Sequence, residues 1–327
     1  DSIERTLKET DIVISDEYHP IALAGVMGGL DTEVTENTKN ILIESDNDIF
    51  KSYVQVYRKD GKSMDNKKHN KSEFIKLISK ISTDEEYKQK LIPLIDTYKF
   101  EDISKDVKNF AKTPIICATS RLVEQKGYDI GAQAILNWIK KHTDENIEFP
   151  IFLLGGAGSV ELFKMLTKLK DKVAKINKEA AKRIYVFHGY KDQFAYAIQL
   201  ASDFYMMPCR FEPCGLTQME AMAKGALPIA TSTGGLVDSI EDKMDGFRTE
   251  VFFSENRHVY GNNKTARRLQ NNENAYTETL DESLQTFYDM PNFLSAMQRR
   301  AMEKDFSWDT KGGSLEKYYT LFHKGHI

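Results

Sequence analysis

Two positive side chains follow a short apolar segment near the middle of the chain. Arg121 and Lys126 stand five residues apart in the polar stretch 120–127, directly after the apolar residues 114–118. A guanidinium and an ammonium on one loop can stabilise the negative charge that grows on a diphosphate leaving group. A solvated basic turn is the alternative interpretation. The pair makes this loop a candidate for phosphate chemistry.

Two carboxylates occur in and after the stretch PCRFEPCGLT. Glu212 stands in a turn crowded with Phe, Pro and Cys, and Glu220 lies eight residues further on, inside a helix predicted to begin near Gly215. One carboxylate can accept hydrogen bonds from sugar hydroxyls, and the second can accept them from a ribose. The alternative for Glu220 is an ordinary exposed helix residue.

Glycines open two further predicted helices. Gly155 and Gly156 belong to the run LLGGAG, and Gly234 and Gly235 follow Thr233 in the run STGGL. Glycine lets the backbone N–H groups at a helix N-terminus approach phosphate oxygens closely. Such turns are common, so neither run alone is specific. Together with the two cations they predict a diphosphate site.

The elements that position these loops form a regular alternation after residue 113. Five apolar runs are predicted strands, separated by predicted helices: residues 114–118, 150–154, 183–188, 203–207 and 227–230. Continuous apolar runs that alternate with helices indicate a parallel sheet covered on both faces. Residues 113–327 are therefore predicted to form an α/β, doubly wound, Rossmann-like domain with a helical tail over 280–322. Its ligands should bind beyond the carboxyl ends of the strands.

Two other zones precede this domain. Residues 1–47 contain short apolar runs at 12–14, 21–24 and 41–43, and are predicted to form a small β-rich extension. Residues 48–112 are rich in Lys, Asp and Asn, and are predicted to form a helical and loop linker. Within that linker, 61–72 is predicted to be an exposed loop, and Thr83 with Glu86 to form a capping box.

Composition excludes several classes of protein. The 327 residues have a net charge of −4, which gives no basic surplus for nucleic-acid binding. The three cysteines, Cys117, Cys209 and Cys214, form neither a disulfide framework nor a zinc motif, and favour the cytoplasm. No apolar stretch reaches membrane-spanning length, and the start has no secretion signal. Asp46-Asn47-Asp48 is interpreted as a chance match to a metal motif, so no metal is expected.

The segment 114–322 resembles the C-terminal, donor-binding domain of the GT-B glycogen and starch synthases. The similar stretches are SRLVEQKG, LLGGAG, HGY, SDFYMMPCRFEPCGLTQMEAM, STGGLVDSI and FSWDT. FEPCGLTQ is specific to this group, whereas TGGL alone is only suggestive. The resemblance implies one half of a GT-B fold.

The resemblance also implies an activity. That family transfers glucose from ADP-glucose or UDP-glucose to the 4-hydroxyl of an α-glucan, retains the anomeric configuration and needs neither a metal ion nor another cofactor. By this resemblance Arg121 and Lys126 stabilise the departing diphosphate, and Glu212 binds the glucose near its 3- and 4-hydroxyls. The partners it implies are a nucleotide sugar and an α-glucan acceptor, with no membrane and no nucleic acid.

Further donor contacts follow from the same resemblance. Backbone groups near the sugar and phosphates, the phosphate cradle and the ring that stacks on the base would be supplied by Gly155, Gly156, Cys214, Gly215, Leu216, Thr217, Thr233, Gly234, Gly235 and Tyr190. Glu220 departs from bacterial members, which often have Tyr at this position, and makes a Glu-x7-Glu pair similar to that of sucrose-type glycosyltransferases. The choice between ADP and UDP is therefore left open.

The upstream residues do not follow the GT-B pattern. The acceptor domain with its Lys-x-Gly-Gly loop is expected to be missing, so we expect little activity from the chain alone. Residues 11–45 instead resemble a fragment of the phenylalanyl-tRNA synthetase β subunit, in the words IALAGVMGGLDTEVT and NILIES. A gene fusion, a chimera and a truncated gene all explain this. Three alternatives follow: a donor-binding domain alone, an enzyme whose acceptor half comes from elsewhere, and a non-catalytic or RNA-associated binding protein.

Overall fold

The structure, a computed structural model, describes seven parts of the chain: residues 13–15, 20–23, 27–28, 63–86, 97–99, 112–249 and 262–306. The chain divides into two compact units, residues 1–46 and 47–327. Three of the predicted features lie outside the described residues: the strand at 41–43, Asp46-Asn47-Asp48 and the tail beyond 306.

The first unit contains a three-stranded antiparallel sheet. Its strands, in the order β1-β2-β3, are β1 (Val13–Ser15), β2 (Pro20–Leu23) and β3 (Met27–Gly28). The first two strands coincide with the apolar runs predicted at 12–14 and 21–24. The third was not predicted, because two residues are too short for an alternating pattern to be recognised.

The second unit is built on a seven-stranded sheet. Its strands are β4 (Thr97–Lys99), β5 (Ile115–Thr119), β6 (Ile151–Gly156), β7 (Ile184–His188), β8 (Phe204–Met207), β9 (Leu227–Ala230) and β10 (Phe247–Arg248). The spatial order is β10-β9-β8-β5-β6-β7-β4. Strand β4 is antiparallel to β7, and the other six strands are parallel. The prediction of a doubly wound α/β fold is confirmed.

Helices flank this sheet. In the described residues of the second unit they are α1 (Ser63–Thr83), α2 (Tyr128–His142), α3 (Val160–Ala174), α4 (Lys178–Lys182), α5 (Asp192–Ala201), α6 (Thr217–Ala223), α7 (Gly235–Ser239), α8 (Asn262–Asp289) and α9 (Pro291–Glu303). Asn177 ends the long helix predicted before residue 182, because its side chain accepts hydrogen bonds from the N–H groups of Glu179 and Ala180 and so caps a new helix. None of the described helices combines the length and the apolar character needed to cross a membrane.

The core lies on both faces of the sheet. Every residue of β5, β6, β8 and β9 is buried. On one side α8 packs against α2, and Tyr276 of α8 joins two neighbouring strands: its hydroxyl accepts from the Met207 N–H at 3.1 Å and donates to the Ile229 carbonyl at 2.6 Å. Burial of both faces explains why these strands are continuous apolar runs in the sequence.

The predicted linker contributes a helix and an edge strand to this second unit. The exposed loop predicted over 61–72 is wrong for residues 63–72, which belong to α1. Lys67 and Lys71 of this helix are buried, with Phe74 close behind them in the core, so their charges do not mark a solvated loop. The helix start predicted at Thr83 is displaced by one residue: Thr83 ends α1, residues 85–86 are helical, and the Asp84 carboxylate accepts the Glu86 N–H at 2.9 Å.

Candidate functional site

The sheet changes direction between β5 and β8. The chain runs outward from β5 through β6 and β7 on one side, then returns to β8 beside β5 and continues through β9 on the other side. In an open parallel sheet the loops that leave two such strands diverge, and the crevice between them is where ligands bind. The loop after β5 carries Arg121 and Lys126, and the loop after β8 carries Glu212. The topology therefore brings these three predicted residues to one crevice.

Lys126 and Glu212 form an ion pair across this crevice. The Lys126 ammonium donates to Glu212 Oε2, and the two side chains are only 14% and 8% exposed. The Cys209 thiol donates to the same carboxylate oxygen at 3.7 Å. Burial, together with the Glu212 charge, raises the pKa of the Cys209 thiol to about 12, so this cysteine stays protonated at neutral pH. An ammonium and a carboxylate side by side can bind an anion and a hydroxyl-rich ring respectively.

The loop after β5 has a fixed local shape. Residues 124–126 form one turn of 3₁₀ helix, and Gly127 follows with φ +64°, a conformation that favours glycine. A Cβ at position 127 would lie 1.8 Å from the Pro208 carbonyl oxygen, so only glycine lets the two loops meet this closely. The Arg210 N–H completes the contact by donating to the Gln125 carbonyl at 2.9 Å. Lys126 is thus carried on a turn that is bonded directly to the Glu212 loop.

Arg121 lies at the start of the same loop and is exposed. The next residue, Leu122, is buried and forms a parallel bridge with Gly158, with the Leu122 N–H donating to the Ala157 carbonyl at 2.8 Å. The glycine run after β6 therefore lies against the Arg121 loop. The Arg121 guanidinium faces solvent, whereas Lys126 and Glu212 are largely buried.

The predicted phosphate glycines Gly155 and Gly156 are required by strand packing. A Cβ at Gly155 would lie 2.1 Å from the Phe187 carbonyl oxygen, and one at Gly156 would lie 1.8 Å from the Ser120 carbonyl oxygen. The Tyr128 hydroxyl strengthens this junction, since it accepts the Ser120 N–H at 3.0 Å and donates to the Gly155 carbonyl at 2.9 Å. Burial raises the pKa of this phenol well above its ordinary value. The glycines bring the two loops into contact, and their role toward phosphate stays a prediction.

The loop after β9 also packs on Glu212. Gly234 has φ +47°, and a Cβ there would lie 2.0 Å from the Glu212 carbonyl oxygen. The Gly235 N–H donates to that same carbonyl at 2.9 Å, and the Thr233 N–H donates to the Thr231 carbonyl at 2.9 Å. Two of the three amides that sequence suggested for phosphate thus bond within the protein. Their placement fixes the backbone of Glu212.

The predicted donor contacts at 214–217 form the mouth of the crevice. Cys214 and Leu216 are exposed, Thr217 begins the seven-residue helix α6, and Gly215 has φ +73°. The fully buried Gln218 behind them was not predicted; its amide donates to the Gly215 carbonyl at 2.8 Å. Gln218 also donates to Ser239 Oγ at 3.0 Å and so ties α6 to α7. The mouth therefore presents side chains to solvent on a backbone fixed from below.

Tyr190 and Glu220 are the two remaining predicted nucleotide contacts. Both are exposed, Tyr190 by 49%. Partial burial, a hydrogen bond with Asp192 and the charge of Glu220 raise the pKa of Tyr190 to about 12. The roles of Tyr190 and Glu220 toward a nucleotide stay predictions. The described residues contain no cluster of three or more His, Cys, Asp or Glu side chains suited to a metal ion.

Two family models match the chain. Residues 113–256 match a family described as glycosyl transferases group 1. Residues 1–73 match a family described as the B3/4 domain. The first match contains Arg121, Lys126, Glu212 and the glycine loops, and the second contains the stretch that resembles a tRNA synthetase fragment.

Similar proteins agree with the first match. The glycogen synthase of Thermodesulfovibrio yellowstonii is 30% identical over 216 residues, which cover 66% of this chain and 36% of that protein. The glycogen synthase of Xanthomonas campestris pv. campestris (strain 8004) is 31% identical over 211 residues, 64% of this chain and 37% of that protein. This chain therefore spans little more than a third of the length of these relatives.

A solved structure supports the fold. The catalytic domain of starch synthase IV from Arabidopsis thaliana, bound to ADP and acarbose, aligns with a TM-score of 0.51 at 22% identity. The alignment covers 79% of this chain and 42% of that one. The likeness supports the α/β fold of the described sheet and helices.

The sequence analysis missed the residues that join the loops. Tyr128 bonds to the loop after β5 and to the end of β6, Arg210 bonds to the start of α2, and Gln218 bonds to Gly215 and to the end of α7. A signal was present for Arg210 and Gln218, which flank Glu212 within the stretch specific to the resembled family. Their partners lie elsewhere in the chain, so the role of each became visible only in the folded structure.

Proposed function

We propose that this chain is the donor-binding part of a retaining hexosyltransferase of the glycogen or starch synthase type. The proposed substrate is ADP-glucose or UDP-glucose, and the proposed reaction elongates an α-1,4-glucan. The observation that carries the proposal is the Lys126–Glu212 ion pair in the crevice between β5 and β8. The matches to glycosyl transferases group 1 and to glycogen synthases support it.

The proposed roles follow from where charge develops. As the bond between the anomeric carbon and the diphosphate oxygen breaks, its electron pair leaves with the diphosphate, and Lys126 and Arg121 stabilise the growing negative charge. The new bond forms to the 4-hydroxyl oxygen of the acceptor, which passes its proton to the departing diphosphate. Glu212 accepts hydrogen bonds from the glucose hydroxyls and so orients the ring. Tyr190 stacks on the base, with Glu220 beside it.

Calorimetric titration of the chain with ADP-glucose and UDP-glucose tests the binding. Lys126→Met removes a charged hydrogen-bond donor, and Glu212→Gln removes the carboxylate charge while keeping the shape. Each is expected to weaken donor binding about ten- to a hundredfold, the effect of losing a hydrogen bond to a charged group. Lys141→Met is the control, because Lys141 forms an exposed ion pair with Asp281 away from the crevice. The absence of binding to both donors at millimolar concentration contradicts the proposal.

A transfer assay separates a donor domain from a complete enzyme. Labelled glucose is followed from the nucleotide sugar into glycogen, with the chain alone and with an added GT-B acceptor domain. Transfer only with the added domain supports the donor-binding role. Transfer by the chain alone indicates a working enzyme, and binding without transfer in either case favours a non-catalytic nucleotide-sugar-binding protein.

The B3/4 match at residues 1–73 favours a second candidate role for that part of the chain. The candidate is association with RNA, which the net charge of −4 disfavours. A tRNA-binding titration at two salt concentrations decides it, since phosphate contacts make such binding weaken steeply as salt rises. Binding that does not depend on residues 1–73 rules this role out.

A further inference from the structure

The guanidinium of Arg210 joins the two loops that carry Lys126 and Glu212. Arg210 Nη1 donates to Asp129 Oδ1 at 2.8 Å, and Nη2 donates to Asp129 Oδ2 at 2.6 Å, which makes a two-pronged ion pair. Nη1 also donates to the Glu124 carbonyl at 2.9 Å. The Arg210 side chain is 10% exposed and that of Asp129 is 37% exposed, so the guanidinium is buried while its carboxylate partner lies partly in contact with water.

These contacts enclose the turn that carries Lys126. Glu124 begins the 3₁₀ turn that ends at Lys126, and Asp129 is the second residue of the helix α2 that follows it. The backbone N–H of Arg210 bonds to the carbonyl of Gln125 inside the same turn. Arg210 therefore forms hydrogen bonds to the start of the turn, to its middle and to the residue just after its end. In the sequence, Arg210 stands two residues before Glu212.

Asp129 is a suitable anchor for this fork. Burial opposes the charged form of Asp129, but the hydrogen bonds and charge of Arg210 outweigh burial and lower the pKa of Asp129 below its ordinary value. The carboxylate therefore stays ionised at neutral pH. A lysine could reach only part of this set, because it lacks the planar fork that meets both carboxylate oxygens at once.

We propose that Arg210 is a positioning residue that sets the separation of Lys126 and Glu212 by bonding the turn before α2 to the loop after β8. It does not touch the donor itself. This inference rests on the proposed function for its effect on donor binding, while its effect on the loops is independent of any ligand.

The chain provides a matched control in Arg183. Its Nη1 donates to the Phe149 carbonyl at 2.6 Å and its Nη2 to Glu148 Oε2 at 2.7 Å, so it also joins a carboxylate and a backbone carbonyl while buried. Arg183 directly precedes β7, at the end of the strands opposite to the crevice. Arg183→Lys removes a similar set of bonds without affecting the Lys126 turn.

Two measurements on the full chain test the proposal. Hydrogen exchange of residues 120–127 and 209–214 is expected to accelerate about tenfold in Arg210→Lys and to stay unchanged in Arg183→Lys. Affinity for ADP-glucose or UDP-glucose is expected to fall about ten- to a hundredfold in Arg210→Lys, because a small displacement of binding groups has effects of this size. Asp129→Asn is expected to accelerate exchange in the same two segments but by less, since the bond from Arg210 to the Glu124 carbonyl remains. The double variant is expected to lose less than the sum of the two single losses, because both changes break the Arg210–Asp129 ion pair.

The outcomes separate the two proposals. If the unaltered chain binds neither donor, the proposed function fails, and the exchange measurement still decides whether Arg210 orders the two loops. If the unaltered chain binds a donor and Arg210→Lys binds it equally well, the positioning role is wrong. Equal acceleration of exchange at 120–127 in Arg183→Lys also overturns it, because the effect would then reflect general loss of stability.

Discussion

The two ends of the parallel strands in the seven-stranded sheet contain different kinds of ion pair. At the end where the parallel strands begin, Asp203 Oδ2 accepts from the Lys71 ammonium at 2.6 Å and from the Ile115 N–H at 2.9 Å. Beside it the Lys67 ammonium donates to the carbonyls of Leu200 at 3.2 Å and Ser202, and to that of Lys224 at 3.1 Å. These groups come from helices and strand starts, and each is enclosed by the protein.

At the opposite end of the strands the charges lie on loops. Lys126 and Glu212 are paired, but they line a crevice whose rim is exposed at Arg121, Tyr190 and Leu216. Glycines allow these loops to approach closely, and backbone amides of one loop donate hydrogen bonds to backbone carbonyls of the next. The difference indicates that one end of the strands uses charge to dock a helix, whereas at the other end a paired lysine and glutamate, 14% and 8% exposed, lie beneath the exposed rim of a crevice. Stability and donor binding should therefore respond to different substitutions.

The largest expected effect on this comparison is at Asp203. Asp203→Ala leaves the buried Lys71 ammonium without its carboxylate, which typically destabilises a protein by about 3–5 kcal/mol. Urea unfolding measures this loss, and the fraction of the variant that remains folded is expected to bind the donor with unchanged affinity. Asp203→Asn keeps an acceptor oxygen and should lose less.

Two results would break the distinction for Asp203. One is a loss below about 1 kcal/mol, the range of exposed ion pairs such as that of Lys182 with Glu179. The other is a fall in donor affinity that matches the fall at Lys126→Met. Glu179→Ala serves as the exposed-pair control in both measurements.

The next largest expected effect is a pH dependence of the free energy of unfolding, caused by Lys67 at the end of the strands where α1 docks. Burial lowers the pKa of Lys67 to about 7 in the folded protein, against about 10.4 for an unfolded lysine. Between these values the unfolded chain binds the proton and the folded chain does not, so Lys67 contributes a free energy of unfolding that rises with pH across the window. The slope is at most about 1.4 kcal/mol per pH unit. The buried thiols of Cys117 and Cys209 contribute in the opposite direction above about pH 8, because burial raises the pKa of each to about 12, against about 8.5 in an unfolded chain.

Urea unfolding at pH 7, 8 and 9 checks this dependence. Lys67→Met is expected to have a slope more negative than that of the unaltered chain by about 1 kcal/mol per pH unit, since the opposing contribution of the two thiols remains. Lys141→Met, at an exposed lysine, is expected to keep the slope of the unaltered chain. Equal slopes in the unaltered chain and Lys67→Met would show that Lys67 is not the titrating group. Donor affinity should not follow the same pH profile, since Lys67 lies at the opposite end of the strands from the crevice.

The smallest expected effect is at Cys214. Its thiol is exposed at the mouth of the crevice, and the predicted contacts of residues 214–217 with the donor are through the backbone. Cys214→Ser should therefore change the free energy of unfolding by less than about 0.5 kcal/mol and donor affinity by less than about threefold. Calorimetry detects a larger loss of affinity, which would assign the contact to the thiol side chain.

The sequence predicted the centre of the fold better than its margins. Strands β5 to β9 were recognisable because burial on both faces makes each a continuous apolar run. Edge strands β4 and β10, with the sequences TYK and FR, are too short and too polar to show a pattern. Helix α1 was mistaken in part for a loop because the charges of Lys67 and Lys71 were interpreted as exposed.

The candidate site was predicted in part for a similar reason. Residues directly after parallel strands must lie at one edge of the sheet, so the loops of Arg121, Lys126 and Glu212 could be assigned to that edge from sequence. Which side chains touch could not be assigned, because Lys126 and Glu212 are 86 residues apart. Arg210 was missed because its partners Glu124 and Asp129 are more than 80 residues away. Tyr128 and Gln218 were missed because the contacts of a buried tyrosine or glutamine depend on how neighbouring strands and helices pack.

The sequence by itself determined the alternation of strands and helices and the order in which charged and glycine-rich loops leave the strands. These are local properties, set by hydrophobic periodicity and by the conformations that glycine allows. The tertiary structure alone decided that β8 lies beside β5, and hence that Lys126 meets Glu212. It also decided that Lys67 is buried, because the carbonyls that accept its hydrogen bonds are supplied by helix ends more than 130 residues away.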